Sequence, residues 1–360
     1  MRFVQKTSYD QDIRFFEHRG QVFWYGLLAL AVLIAPLFIE RFYLGELSLV
    51  FIYAIAGIGL MLLVGYTGLV SLGHAAFLAI GAYSQAWLMN QGVPFPLTLP
   101  LSGFITAAVG ALVGIPALRM TGIYLAVATL AFAIIVEQVI IHWPAVTGGF
   151  TGMVVPRARI ELINLDLQQP IAFYYLCLAI LVGCLLIAMN LLRSPTGRAF
   201  RAIRDSEISA QSLGIHLSST KTLAFALSAG FTGVAGSLFA HKLGYLAPDS
   251  FTIQTSILLL LMVVVGGVGS LHGIIYGALF IGFLPQMLAV ARDLLPVGIA
   301  QMPGLEPALF GLILILVLIY EPLGIYGRWL KIRSYFEQFP LYRRATHKRQ
   351  KSYLRTERLR

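Results

Sequence analysis

The sequence predicts an all-α, polytopic bundle of membrane-spanning helices, about ten spans within a range of eight to ten, with both termini cytoplasmic. Composition is the first observation that predicts it: 58% of the 360 residues are hydrophobic and only 12% are charged. Soluble domains carry roughly 25% charged residues. Mean hydropathy is +0.81. The second observation is the recurrence of apolar runs near the ~20 residues that cross a ~30 Å hydrocarbon core. The third is that Lys and Arg collect in segments falling on one side of a ten-span arrangement.

Taken in order, residues 1–21 form an N-terminal segment of mixed charge. The apolar run 22–39 ends at Glu40 and Arg41 with no small-residue cleavage site just past it. It therefore reads as a retained first helix. Further spans are expected at 47–64, 68–89, 97–117, 121–141, 171–192, 222–241, 253–269, 273–291 and 304–320. Two carry punctuation. The stretch from Gly65 to Met89 opens with Gly65, Gly68 and Gly73 and could be re-entrant or broken; 253–269 is short and ends in GGVGS. The membrane-spanning region is thus 22–320, interrupted by a polar loop at 193–221 and followed by a basic tail at 321–360. That tail is expected to be irregular or to lie on the lipid surface.

The N-terminal segment has four basic residues, the 193–221 loop five and the tail eleven, and Arg119 joins them. The opposite loops hold Arg41, Arg157, Arg159, Lys242 and Arg292, so 21 stand against five. The basic side is expected to be cytoplasmic. A net charge of +10 distributed in this way suits anionic lipid better than nucleic acid. Cys177 and Cys184, seven apart in one run, share a helix face as ordinary apolar residues of the membrane phase, too few for a disulfide framework or metal site. No metal and no cofactor are expected. LVGYTGLVSLGHAAFLAIGAY near position 70 echoes VVGGVGSLHGIIYGALFIGF near position 270. Duplicated halves occur in transporters, and Gly-rich membrane helices also look alike by chance.

Ionisable groups within the spans are few: His74, Glu137, His241 and Glu306. Carriers driven by protons or sodium place carboxylates at mid-membrane, and none is clearly there. A phosphate-cradling G-x-x-x-x-G-K-[ST] loop is also missing, since no Lys follows a Gly. Energy would come from a separate ATPase. His74, in SLGHAAF, either lines a pathway or bonds to a neighbouring helix's backbone carbonyl. Ser71 lies three residues before it, with no orienting acid for a hydrolase dyad. In 193–221, Ser194-Pro195 reads as a helix start and Gly214 as a stop. Arg201 and Asp205 can pair, and Ala202, Ile203, Ile208, Ala210 and Leu213 make a small apolar face. This helix either docks in a soluble partner or is a solvated loop obeying the charge rule.

The stretches GYTGLVSLGHAAFLAIGAY (65–83), TGGFTGM (147–153), SPTGRAFRAIRDSEISAQSLGI (194–215) and KTLAFALSAGFTGVAGSLFA (221–240) resemble the LivM-type permease subunits of branched-chain amino-acid ABC importers. The similarity runs from about Leu47 to Leu318. It implies a multi-pass subunit of the bacterial inner membrane, not an enzyme itself. It also implies a LivH-type second permease, two cytoplasmic ATPase subunits and a periplasmic or lipid-anchored substrate-binding protein. By this resemblance 194–215 is the ATPase-coupling element, with Gly197, Arg198, Arg201, Ala202, Ile203, Arg204, Asp205, Glu207, Ala210 and Gly214. Gly65, Gly68, Ser71, Gly73 and His74 become signature or pathway residues. Many other ABC importers read E-A-A-x-x-x-G at the coupling segment; here Glu207 precedes Gly214 by seven, so their register does not transfer. Related permeases serve urea, short amides and aromatic acids. A stand-alone carrier or channel and a membrane enzyme are the competing classes.

Overall fold

The computed structural model describes residues 19–118, 120, 122–160, 165–167, 169–293 and 305–338. Thirteen helices carry the architecture: α1 (Arg19–Phe38), α2 (Arg41–Leu60), α3 (His74–Asn90), α4 (Phe95–Ala117), α5 (Ile123–His142), α6 (Pro170–Arg193), α7 (Pro195–Asp205), α8 (Glu207–Ser212), α9 (Leu217–Leu243), α10 (Ile253–Gly266), α11 (Leu271–Asp293), α12 (Leu305–Tyr320) and α13 (Gly324–Gln338). Two small antiparallel ribbons close one end. β1 (Met153–Val154) pairs with β4 (Tyr245–Leu246), and β2 (Arg159–Ile160) pairs with β3 (Leu165–Asp166).

Burial sorts the long helices. In α2 with its continuation to Tyr66, 78% of the apolar window is buried, and in α9 72%; in α5 the figure is 22% and in α6 28%. Inner helices are enclosed by protein over most of that window, while outer helices leave Leu, Ile, Val and Phe exposed on the surface of the bundle. α9 is the axis, packed on α2, α3 and α4. Small residues allow the approach. A Cβ on Gly81 of α3 would sit 2.2 Å from the Gly233 carbonyl oxygen of α9, and one on Gly236 would sit 2.1 Å from Leu78 O. Without a hydrophobic drive between helices in lipid, such backbone-to-backbone contact supplies the packing energy.

The outer helices are pinned by side chains. Pro36 lacks the N–H that would reach the carbonyl of Val32. The Tyr174 hydroxyl of α6 donates to that carbonyl at 2.8 Å. Cys177 and Cys184 are free thiols on the face of α6 that also carries Phe173, Leu181 and Ala188, and that face is buried. They point into the protein and not toward lipid, because this is the side of α6 that packs on α2.

The all-helical membrane character agrees with the sequence reading; the count is coarser than the ten spans expected. Among the described residues, seven helices are long and apolar enough to cross a bilayer, or eight if Pro307–Tyr320 and Gly324–Phe336, bent by 43°, are one span. The apolar part of α1, Val22–Phe38, is shorter than the others. The expected span 68–89 does not begin at 68. α2 runs on as a π-helical turn, Met61–Tyr66, and from Gly68 the chain is non-helical until α3 starts at His74. The punctuating glycines thus mark a break within the bundle. The 253–269 stretch is completed by the turn at Pro248–Phe251, so that Pro248–Gly266 reaches spanning length. The tail is not uniformly irregular: α13 is a helix whose Tyr326 stacks on His272, centroids 5.8 Å apart. Residues 1–18, Arg119 and 339–360 lie outside the described residues, as does the side chain of Glu306.

Candidate functional site

The polar loop after α6 folds into two short helices lying against one end of the bundle. Pro195 occupies the first turn of α7, where its missing N–H costs nothing. Ser194 sits at the N-cap position, yet its hydroxyl donates back to the Leu191 carbonyl at 2.6 Å and does not cap α7. The true side-chain cap is Ser206, whose Oγ accepts from the backbone N–H of Ser209 at the start of α8. Gly214, at φ +83°, ends α8 as expected, and the Ile215 N–H returns to the Ala210 carbonyl at 3.1 Å.

The apolar residues of this element divide between two faces. Gly197, Phe200 and Ile203 are buried and recur every third residue along α7. Phe200 packs with Leu63, Leu69, Leu125 and Phe225. Ala210 is buried beneath α8. Ile208 and Leu213 face outward, 84% and 78% exposed. The single apolar face expected from the sequence is therefore corrected. The break at Ser206 rotates α8, so Ile208 and Leu213 leave the side that holds Ile203 and Ala210. Arg201 makes no ion pair with Asp205 among the described residues. Its guanidinium donates to the Leu192 carbonyl at 3.1 Å and lies over the Tyr66 ring, 5.8 Å from the centroid. Glu207 reaches instead to Lys221 at the base of α9, 2.7 Å away, the lysine side chain being 2% exposed.

Arg204 joins the loop to the glycine break. Its Nη1 donates to the Gly65 carbonyl at 2.6 Å. That carbonyl belongs to the π-helical turn, beyond which the chain leaves the helix, so an outside donor satisfies it. Gly68, at φ +74°, lets the chain turn over the Arg204 stem; a Cβ there would meet Arg204 Cγ at 3.3 Å. Gly269, at φ +90°, does the same from the other echoed motif, with Arg204 Nη1 3.1 Å from its virtual Cβ. The Gly269 N–H points to the sulfur of Met61 at 3.1 Å. The two similar sequences, VGYTG and VGGVG, thus meet at one arginine.

His74, Ser71 and Gly73 lie deeper. His74 is fully buried, with hydrogen bonds joining Nε2 to Ser228 Oγ at 2.8 Å and Nδ1 to Ser71 Oγ at 3.1 Å. Its partner on α9 is a serine hydroxyl and not the backbone carbonyl that one of the two readings expected. Gly73 abuts α5, where a Cβ would meet the Thr129 carbonyl at 2.5 Å. Gly65 is buried and Gly68 exposed.

Comparison with known proteins decides what such a bundle is. The family model described as the branched-chain amino acid transport system permease component matches residues 42–319. This chain belongs to that family. The permease is 35% identical, over 85% of its length and 75% of the relative's, to the high-affinity branched-chain amino acid transport system permease protein LivM of Salmonella typhimurium. The Escherichia coli protein of the same name matches equally well, at 35% over the same shares. A more distant relative, the autoinducer 2 import system permease protein LsrC of Shigella flexneri, is 26% identical over 74% of this chain and 79% of its own. No solved structure matches.

Within the permease, residue-by-residue reading missed Phe200, Lys221, Gly269 and Met61 as parts of this site. The i, i+3, i+6 spacing of Gly197, Phe200 and Ile203 was available as a signal. The contacts of Gly269 and Met61 with the Arg204 region depend on tertiary juxtaposition alone.

Proposed function

We propose that the chain is the membrane-spanning permease subunit of an ATP-binding-cassette importer, carrying branched-chain amino acids or related small amphipathic solutes into the cytoplasm. It works beside a LivH-type second permease, two cytoplasmic ATPases and an external binding protein, in the bacterial inner membrane with α7–α8 on the cytoplasmic side. Ten crossings follow if α1, α3 and the bent pair α12–α13, taken as one span, are added to the seven longer helices.

The observation that carries the coupling reading is the two-faced loop. Its inner face, Gly197, Phe200 and Ile203, is fastened to the bundle, and its outer face offers Ile208 and Leu213 among charged residues. An element anchored on one side and apolar on the other suits docking in a groove of a soluble partner. Arg204 and the Glu207–Lys221 pair then carry its movement to the glycine break and to α9. The second-permease reading is supported by α5. Its apolar window is the least buried of the seven, yet it bears a half-exposed Glu137 and an exposed Gln138. A carboxylate facing lipid is costly, so a protein partner or an aqueous path suits this face better.

The test is reconstitution. Arg201→Glu and Gly214→Trp should leave insertion intact and lower ATP-dependent leucine uptake in proteoliposomes holding all subunits. Unchanged uptake in both variants removes the coupling assignment. Uptake by this chain alone without ATP would replace the importer reading with that of a stand-alone carrier.

A further inference from the structure

At the far end of α9 from the coupling loop, a cavity of about 550 Å³ opens between α2, α6, α9 and the strand segment. That volume falls within the roughly 300–1,000 Å³ usual for small-molecule sites. Its wall carries charges of both signs. Arg41 and Glu46 come from the first turns of α2, and Lys242 from the last turn of α9. Arg41 and Glu46 make no hydrogen bond or ion pair among the described residues, and Lys242 is bonded only to the Gly45 carbonyl, at 2.8 Å. The three groups therefore share a cavity without neutralising one another. Phe42, Phe173 and Leu167 supply apolar wall beside them.

Side chains that merely anchor a helix at the interface would extend into headgroups or pair with each other. Here a carboxylate and two cations instead border one concave space. A ligand complementary to it has an anionic group for Arg41 and Lys242, a cationic group for Glu46, and an aliphatic portion for the aromatic and leucine wall. We propose that this cavity is an outer binding site for a zwitterion bearing a primary ammonium, an adjacent anionic group and an aliphatic side chain. A free aliphatic α-amino acid has this chemistry. A phosphoethanolamine headgroup shares the charges but carries its apolar part through the phosphate. The inference rests on the importer reading for its biological meaning, and its test does not depend on transport.

The probe is L-leucine, with the full chain assembled with its partner subunits in nanodiscs. Phe42→Cys places a thiol on the cavity wall, the native Cys177 and Cys184 being buried. Its modification by a membrane-impermeant methanethiosulfonate is followed with and without L-leucine, each variant normalised to its own ligand-free rate. L-leucine is expected to slow labelling. 4-Methylpentanoate, which lacks the ammonium, and isopentylamine, which lacks the carboxylate, should each need roughly tenfold more, the effect of losing one charge-assisted contact. Adding Glu46→Gln should raise the half-protecting L-leucine concentration by a similar factor, and Glu46→Asp should recover part of it. Equal protection by 4-methylpentanoate, or none by L-leucine, overturns the proposal. So does suppression of labelling by phosphatidylethanolamine that L-leucine fails to relieve, which assigns the cavity to lipid. Protection by L-leucine in a complex that transports nothing upholds the site and rejects the importer reading. Transport without protection does the reverse.

Discussion

At the scale of single residues, the most consequential contacts are those in which a side chain satisfies a carbonyl that helix geometry has released. Arg204 does this for Gly65 at 2.6 Å. Replacing it with Ala should cost about 1 kcal/mol, the net worth of one partly exposed charge-assisted bond. A drop of a few degrees in the unfolding midpoint of the detergent-solubilised protein is the measurement. Arg204→Lys keeps the stem that packs on Gly68 but loses the planar fork, so part of the stability should return. Glu207 and Lys221 are a different case. The lysine side chain is 2% exposed and the glutamate 35%. Glu207→Gln leaves a buried ammonium with a neutral partner, and about 2 kcal/mol is expected after allowing for solvent at the glutamate. A neutralising Lys221→Met in the same background should restore most of it, because the unpaired charge and not the lost bond dominates. His74 belongs with these residues. Both its ring nitrogens have serine partners, so His74→Phe strands the hydroxyl of Ser228 in the interior and leaves that of Ser71 only its bond from the Gly73 N–H.

At the scale of elements, α7 and α8 separate anchoring from recognition. Phe200 is fully buried, and Phe200→Ala should cost about 3 kcal/mol and loosen α7 from the bundle. Ile208→Ser and Leu213→Ser touch nothing inside, so thermal stability should stay put while co-purification of the ATPase falls. Loss of stability in these variants and retention of the ATPase would reverse the two faces. This division shows what the chain's pattern reveals and where it stops. Long helices were legible because apolar runs of spanning length have few other uses, and the stop at Gly214 was legible because glycine alone adopts its conformation cheaply. The rotation at Ser206 was not, since a cap bond decides it locally and either serine, 194 or 206, could supply one. The start of α3 at His74 was also hidden. An apolar run cannot show that the six residues after Thr67 leave the helix and find partners across the bundle. The meeting of two echoed glycine motifs at Arg204 lies in tertiary structure, beyond any window on the sequence. Tyr174 belongs to the same class: nothing nearby in sequence tells that its hydroxyl serves a carbonyl freed by Pro36. Tyr174→Phe should cost about 1 kcal/mol and loosen α1, read as faster proteolysis before Arg41.

At the scale of the molecule, the bundle has a densely packed interior and a set of weakly buried outer helices. The half-exposed Glu137 and exposed Gln138 of α5 predict where a second permease belongs. Gln138→Cys should form a disulfide or short cross-link with a cysteine on that partner in native membranes, and labelling of it by a lipid-phase reagent would place α5 against the bilayer instead. The interior sets a limit on motion. Contacts of glycine against carbonyl clamp α9 to its neighbours, and a single methyl at Gly81 would already collide with the backbone. Helices locked at that spacing have no low-energy slide or twist relative to each other. Whatever opens the passage to one side and then the other must therefore tilt this inner block as a whole, with the yielding surfaces confined to the rim where subunits touch.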